Sequence, residues 1–158
     1  MIYNYGVKQK EIQQMKSSST NFYKVLKGYE NYFLNANIDY KEFLNLNSDE
    51  VVEDLYVAYN NSKTNCATIE PNWYKQIFLE IEDHKNNKPL YIMTISYSTA
   101  TKTFRVKITD MQANRVHNSN DDIFKLHVTS EPDKWLFNAL VKNGLFFLLN
   151  RVKQKELQ

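Results

Sequence analysis

Gln76-Ile77-Phe78-Leu79-Glu80-Ile81-Glu82 puts Ile77, Leu79 and Ile81 on one side of an extended chain and Gln76, Phe78, Glu80 and Glu82 on the other. A period of two is the pattern of a strand with one face in a core. The same period continues downstream. After a polar turn at 84–89, where asparagine supplies the left-handed conformation that glycine usually provides, residues 90–98 are apolar on both sides and read as a central strand. Phe104, Val106 and Ile108 then alternate with Arg105, Lys107 and Thr109. Beyond a long Asn-rich loop at 111–121, Phe124, Leu126 and Val128 alternate with Ile123, Lys125 and His127. Consecutive strands usually pair, so the economical topology is a four-stranded antiparallel meander.

Upstream of these strands the period is helical. Ser17, Ser18, Ser19 and Thr20 form a helix-start cluster, and Phe22, Leu26, Tyr29, Phe33 and Ala36 follow at helical spacing, which predicts a helix over 20–36. Residues 40–46 suggest a short helical turn. Ser48, Asp49 and Glu50 open another helix, with Val51, Val52, Leu55, Tyr56 and Tyr59 as its apolar face and Asn60 and Asn61 at its end. The two helices are expected to form an antiparallel pair. Residues 1–16 are polar and weakly patterned, a tail or frayed helix, and 62–71 read as a loop.

At the carboxyl end, Ser130 and Asp133 have capping-box spacing with Pro132 in the first turn. Trp135, Leu136, Ala139, Leu140, Phe146, Phe147, Leu148 and Leu149 spread apolar surface over most of a helix circumference. Asn143 and Gly144 leave open whether 145–149 continue the helix or form a strand. The whole reads as α+β: two N-terminal helices, a four-stranded antiparallel meander sheet and an apolar C-terminal helix packed on the sheet, with 17–158 as a single domain.

Composition narrows the chemistry. Gly6, Gly28 and Gly144 are the only glycines in 158 residues, so no phosphate-cradling loop, nucleophile elbow or dinucleotide-binding turn can be written. The formal charge of +2 lacks the strong basic bias of phosphate-tracking proteins, so nucleic acid is permitted without being indicated. Cys66 is the lone cysteine and can form no internal disulfide, which favours a reducing cytoplasm. Residues 1–16 lack the apolar run of a signal peptide, and nothing approaches the ~20 apolar residues of a membrane span. The abundance of Asn, Lys, Ile and Tyr, all drawn from A·T-rich codons, associates the chain with a low-GC bacterium, one of its phages or plasmids, or a similar eukaryotic genome.

Candidate sites follow from side-chain chemistry. Glu80, Glu82, Asp83 and His84 are the densest group of ligand-type side chains, suited either to a metal-dependent hydrolase or simply to a solvated strand face and a turn. An acid-x-lysine nuclease motif would want a carboxylate two residues before Lys107, where Arg105 stands. Cys66 has only His84, His117 and His127 as possible bases, and no nucleophile motif surrounds it. Tyr91, Tyr97, Arg105, Lys107, Lys125 and His127 would combine aromatic planes with phosphate-holding basic side chains if they shared a sheet face, although Tyr91 and Tyr97 share a face with the apolar Met93 and Ile95 as a buried face would. Arg115 and His117 in the 111–121 loop, with Trp135, Phe146 and Phe147 on the last helix, are the candidate protein-binding residues.

The expectation is therefore a cytoplasmic, non-enzymatic protein without cofactor or metal that binds a protein partner, as an adaptor or as an inhibitor encoded by a phage or mobile element. A homodimer is compatible with the apolar helix. Single-stranded nucleic-acid binding on the sheet face and a cryptic metal-dependent hydrolase are the alternatives.

Overall fold

Alternating burial along 75–83 and 103–110 sets the frame: Ile77, Leu79 and Ile81, then Phe104, Val106 and Ile108, turn inward while their neighbours turn away. The computed structural model describes residues 26–28, 34–62, 75–113 and 122–156. In chain order the elements are β1 (Leu26–Gly28), β2 (Leu34–Asp39), α1 (Tyr40–Leu44), α2 (Ser48–Asn61), β3 (Lys75–Asp83), β4 (Lys88–Ser98), β5 (Thr103–Asp110), β6 (Asp122–Val128) and α3 (Lys134–Glu156). The expected tail at 1–16, the first residues of the expected first helix, Cys66, and Arg115 and His117 lie outside the described residues.

The strands form one sheet in sequence order, with five strands of six residues or more and a three-residue β1 at the edge. From β3 to β6 every pairing is antiparallel, as the meander reading expects, and the long β4 lies inside it. Asn87, in the β3–β4 turn, holds the left-handed conformation at φ 57°. The Asp83 carboxylate accepts from both the backbone and the side-chain nitrogen of Asn86, which holds it below the usual carboxylate range.

Two expectations are corrected at the amino end. The helix expected over 20–36 is not one at its described residues: Leu26–Gly28 and Leu34–Asp39 are strands, paired antiparallel with each other. The sheet is also mixed, because β2 runs parallel to β3. The physical reason is burial. In β2, Ala36 and Ile38 lie beside Leu79 and Ile81 and are almost wholly buried. Parallel neighbours need a crossover, and this one carries α1 and α2.

Asp39 ends β2 and caps α1 by accepting from Lys41 N at 3.2 Å, while its other oxygen accepts from His84 N at 2.8 Å. Asn47, one residue before the expected start, caps α2 by accepting from Asp49 N and Glu50 N. Val51, Val52, Leu55, Ala58 and Tyr59 of α2 are buried. Asp133 caps α3 by accepting from Leu136 N at 2.8 Å, so Pro132 precedes the cap and is not in the first turn.

The helix α3 runs unbroken through Gly144, so 145–149 are helical. A Cβ at Gly144 would come within 2.8 Å of Met93 Cε and 3.0 Å of Val106 Cγ1. Glycine here lets the helix sit close on the sheet. Phe137, Leu140, Val141, Leu145, Leu148 and Val152 complete the inward face. Tyr59, Phe104 and Phe137 meet as a ring cluster with centroids 5.1 to 5.7 Å apart, joining α2, the sheet and α3 in one core. The C-terminal helix therefore packs on the sheet as expected. No helix among the described residues is long and apolar enough to cross a membrane.

Candidate functional site

Gly144 marks the side of α3 nearest the sheet, and at about 100° per residue Trp135 and Phe146 fall close to 180° from it. Both point outward: Trp135 is 77% exposed and Phe146 51% exposed, and they are the large hydrophobic side chains left exposed among the described residues. They stand eleven residues apart, three turns along one stripe, with Ala139 and Lys142 between them and Lys153 beyond. Phe147 does not join them. It turns toward β6, its ring centroid 5.2 Å from that of Phe124.

The rim of this stripe is fixed by α2. Lys134 Nζ reaches Glu53 Oε1 at 2.8 Å, and Lys142 Nζ reaches Asp49 Oδ1 at 2.6 Å. The hydrogen bond and charge of Glu53 raise the pKa of Lys134. Exposed ion pairs of this kind contribute little stability but orient long side chains along the helix border. Deeper at the same end, Tyr59 donates to Glu131 Oε2 at 2.9 Å, and Lys75 Nζ lies 2.9 Å from the same oxygen. Burial, then the charge and hydrogen bond of Glu131, push the Tyr59 hydroxyl far above its ordinary range.

The six residues considered for nucleic acid separate onto two faces. Tyr91 is buried on the helix-covered face, where Lys155 Nζ lies 5.7 Å from its ring centre, and Tyr97 is half-buried beside Phe104. Burial raises the pKa of Tyr91, and the Arg151 hydrogen bond opposes that shift. Arg105, Lys107, Lys125 and His127 occupy the opposite face, with Arg105 opposite His127 and Lys107 opposite Lys125 in the β5–β6 register. Lys107 is also 4.0 Å from Asp122. Arg105, Lys107, Lys125 and His127 are thus neighbours, without the two tyrosines.

Glu80 and Glu82 do share a face, and His84 joins them at the end of β3. His84 Nε2 is 3.7 Å from Glu82 Oε1 and 3.0 Å from Asn37 Oδ1. Partial burial, then the hydrogen bond and charge of Glu82, push the Glu80 carboxyl up to about 7. Among the described residues no three His, Cys, Asp or Glu side chains are arranged to hold a metal ion. Asn37 and Asp39, which complete this corner, are not among the candidate residues that the sequence singles out. The alternation of Leu34, Ala36 and Ile38 with Asn35, Asn37 and Asp39 was the signal that they belong to a strand.

A concavity of about 390 Å³ opens between the β3–β4 hairpin and the end of α3, lined by Tyr40, Asp83, Lys88, Gln112, Lys155 and Glu156 among others. Its two acids and two lysines give it no dominant charge. No protein-family model matches the chain, and no curated protein or solved structure matches it.

Proposed function

We propose that this is a non-enzymatic binding protein that docks a protein partner on the outer stripe of α3. The observation that supports the reading is the outward placement of Trp135 and Phe146 on one line of a helix whose opposite side is wholly committed to the core. Aromatic side chains dominate the energetics of protein interfaces, because they remove much apolar surface from water at small entropic cost. Covering Trp135 and Phe146 with a partner would remove their apolar surface from water. An adaptor or an inhibitor carried by a phage or mobile element fits this reading, as does a cytoplasmic setting.

The test is site-specific photo-crosslinking in lysate of the native host, with a benzophenone side chain at position 146 and, as control, at Lys102 on the exposed β4–β5 turn. The proposal expects a discrete, nuclease-resistant protein adduct from position 146 and none from 102. Trp135→Ala should lower adduct yield at limiting partner concentration by roughly 30-fold, the loss of about 2 kcal/mol typical of an interface anchor. Equal labelling from both positions would sink the proposal.

A second reading rests on the neighbouring Arg105, Lys107, Lys125 and His127. If they track a phosphate backbone, affinity for single-stranded DNA falls steeply as salt rises, and Lys107→Ala with Lys125→Ala flattens the salt slope. Binding that is absent at 50 mM salt would remove this reading.

A further inference from the structure

The concavity between the β3–β4 hairpin and the end of α3 is walled by segments that hydrogen bonds hold in place. Asp39, which caps α1 just before Tyr40, also accepts from His84 N at 2.8 Å and so ties that wall to the hairpin. Gln112 Nε2 donates to Pro89 O at 2.8 Å, and Asp110 Oδ1 accepts from Gln112 N and Ala113 N. Arg151 of α3 lies 3.5 Å from the other oxygen of Asp110. Contacts between separate elements thus fix the walls. Their enclosed volume, about 390 Å³, falls near the lower end of the range of small-molecule sites.

The lining divides between an apolar wall and charges of both signs. Tyr40 offers a half-buried ring and Leu90 an aliphatic side chain. Asp83 and Lys88 stand opposite each other in the β3–β4 register, and Asp83 also accepts two bonds from Asn86, so the hairpin satisfies this acid within the protein. Lys155 and Glu156 differ. Neither forms an ion pair with another described residue, and the Lys155 ammonium is placed only by the Tyr91 ring, 5.7 Å away. A ligand of single charge gains from one of these two groups and is repelled by the other. A zwitterion satisfies both, and an aromatic body attached to it covers Tyr40 and Leu90.

We infer that this cavity binds a small zwitterion with an aromatic body, of the chemical class of the free aromatic α-amino acids. Its carboxylate accepts from Lys155 Nζ, its ammonium donates to Glu156, and its ring packs on Tyr40 and Leu90. The site lies at the carboxyl end of α3, beyond Trp135 and Phe146, and does not depend on the docking stripe.

The probe is L-phenylalanine, titrated at neutral pH into the full, isotope-labelled chain and followed by amide chemical shifts. Saturable shifts are expected at Leu90, Gln112 and Lys155, with a dissociation constant on the order of 1 mM, ordinary for a ligand of about twelve heavy atoms. Two analogues each lack one charge: 3-phenylpropionate has no ammonium and phenethylamine no carboxylate. Each should bind about tenfold more weakly, the loss of one charge-assisted hydrogen bond. Lys155→Met and Glu156→Gln should weaken phenylalanine by a similar factor at an unchanged melting temperature, while Lys153→Met, on the outer stripe, leaves it unaltered. Three results would each overturn the inference: no saturable shift at about 20 mM phenylalanine, shifts confined to another surface, or an analogue or either site variant that binds as well as the parent pair.

Discussion

Gly144 is the residue on which the position of α3 turns. Any side chain there must displace Met93 Cε, which can swing aside, and Val106 Cγ1, which is held by a β-branched side chain in the middle of β5. Gly144→Leu is expected to cost about 2 to 3 kcal/mol in urea denaturation through overpacking. Glu80 offers a pH test. Its folded pKa of about 7 lies above the ordinary 4.5, so the native state holds this proton more tightly than the unfolded chain does. The associated stability is fully present below about pH 4.5 and is lost as pH rises through 7. Because Glu80 is only half-buried, solvent screening reduces the effect to about 1 kcal/mol. Glu80→Gln should therefore raise the melting temperature at pH 8 by about 2 to 4 °C and leave it nearly unchanged at pH 4. An equal rise at both pH values would show that the gain does not come from titration.

At the scale of elements, caps and connections carry the sequence-to-structure logic. Asn47 satisfies two of the orphan amides of α2, so Asn47→Ala should destabilise the fold by about 1 kcal/mol, measured by thermal or urea unfolding. Strands β3, β5 and β6 were legible because each alternates, and β4 because it is apolar on both sides as a central strand is; each pairs with its sequence neighbour. β2 was not. Phe33 and Ala36 also fit a helical spacing, and the partner that fixes β2 as a strand, β3, lies some forty residues downstream across α1 and α2. Propensity read locally yields to such a distant pairing. The helical fate of 145–149 was equally hidden, because Asn143 and Gly144 resemble a helix stop, and only the closeness of Met93 and Val106 gives the glycine its other meaning.

For the molecule as a whole, one apolar core lies between the sheet and its helices, and the opposite strand faces carry the cations of β5 and β6 and the acids of β3. The candidate site was only half legible. Trp135, Phe146 and Phe147 stood out as surplus apolar surface, but a helix apolar over most of its circumference does not declare which arc is covered. Packing of Gly144 against the sheet sends Trp135 and Phe146 outward, while the Phe124 contact takes Phe147. Hydroxyl-radical footprinting of Trp135, comparing the chain in host lysate with the same chain dilute in buffer, tests the docking claim most directly. A several-fold slower oxidation of Trp135 in lysate, abolished by Phe146→Glu, is the predicted result. Equal oxidation rates in lysate and buffer would contradict it.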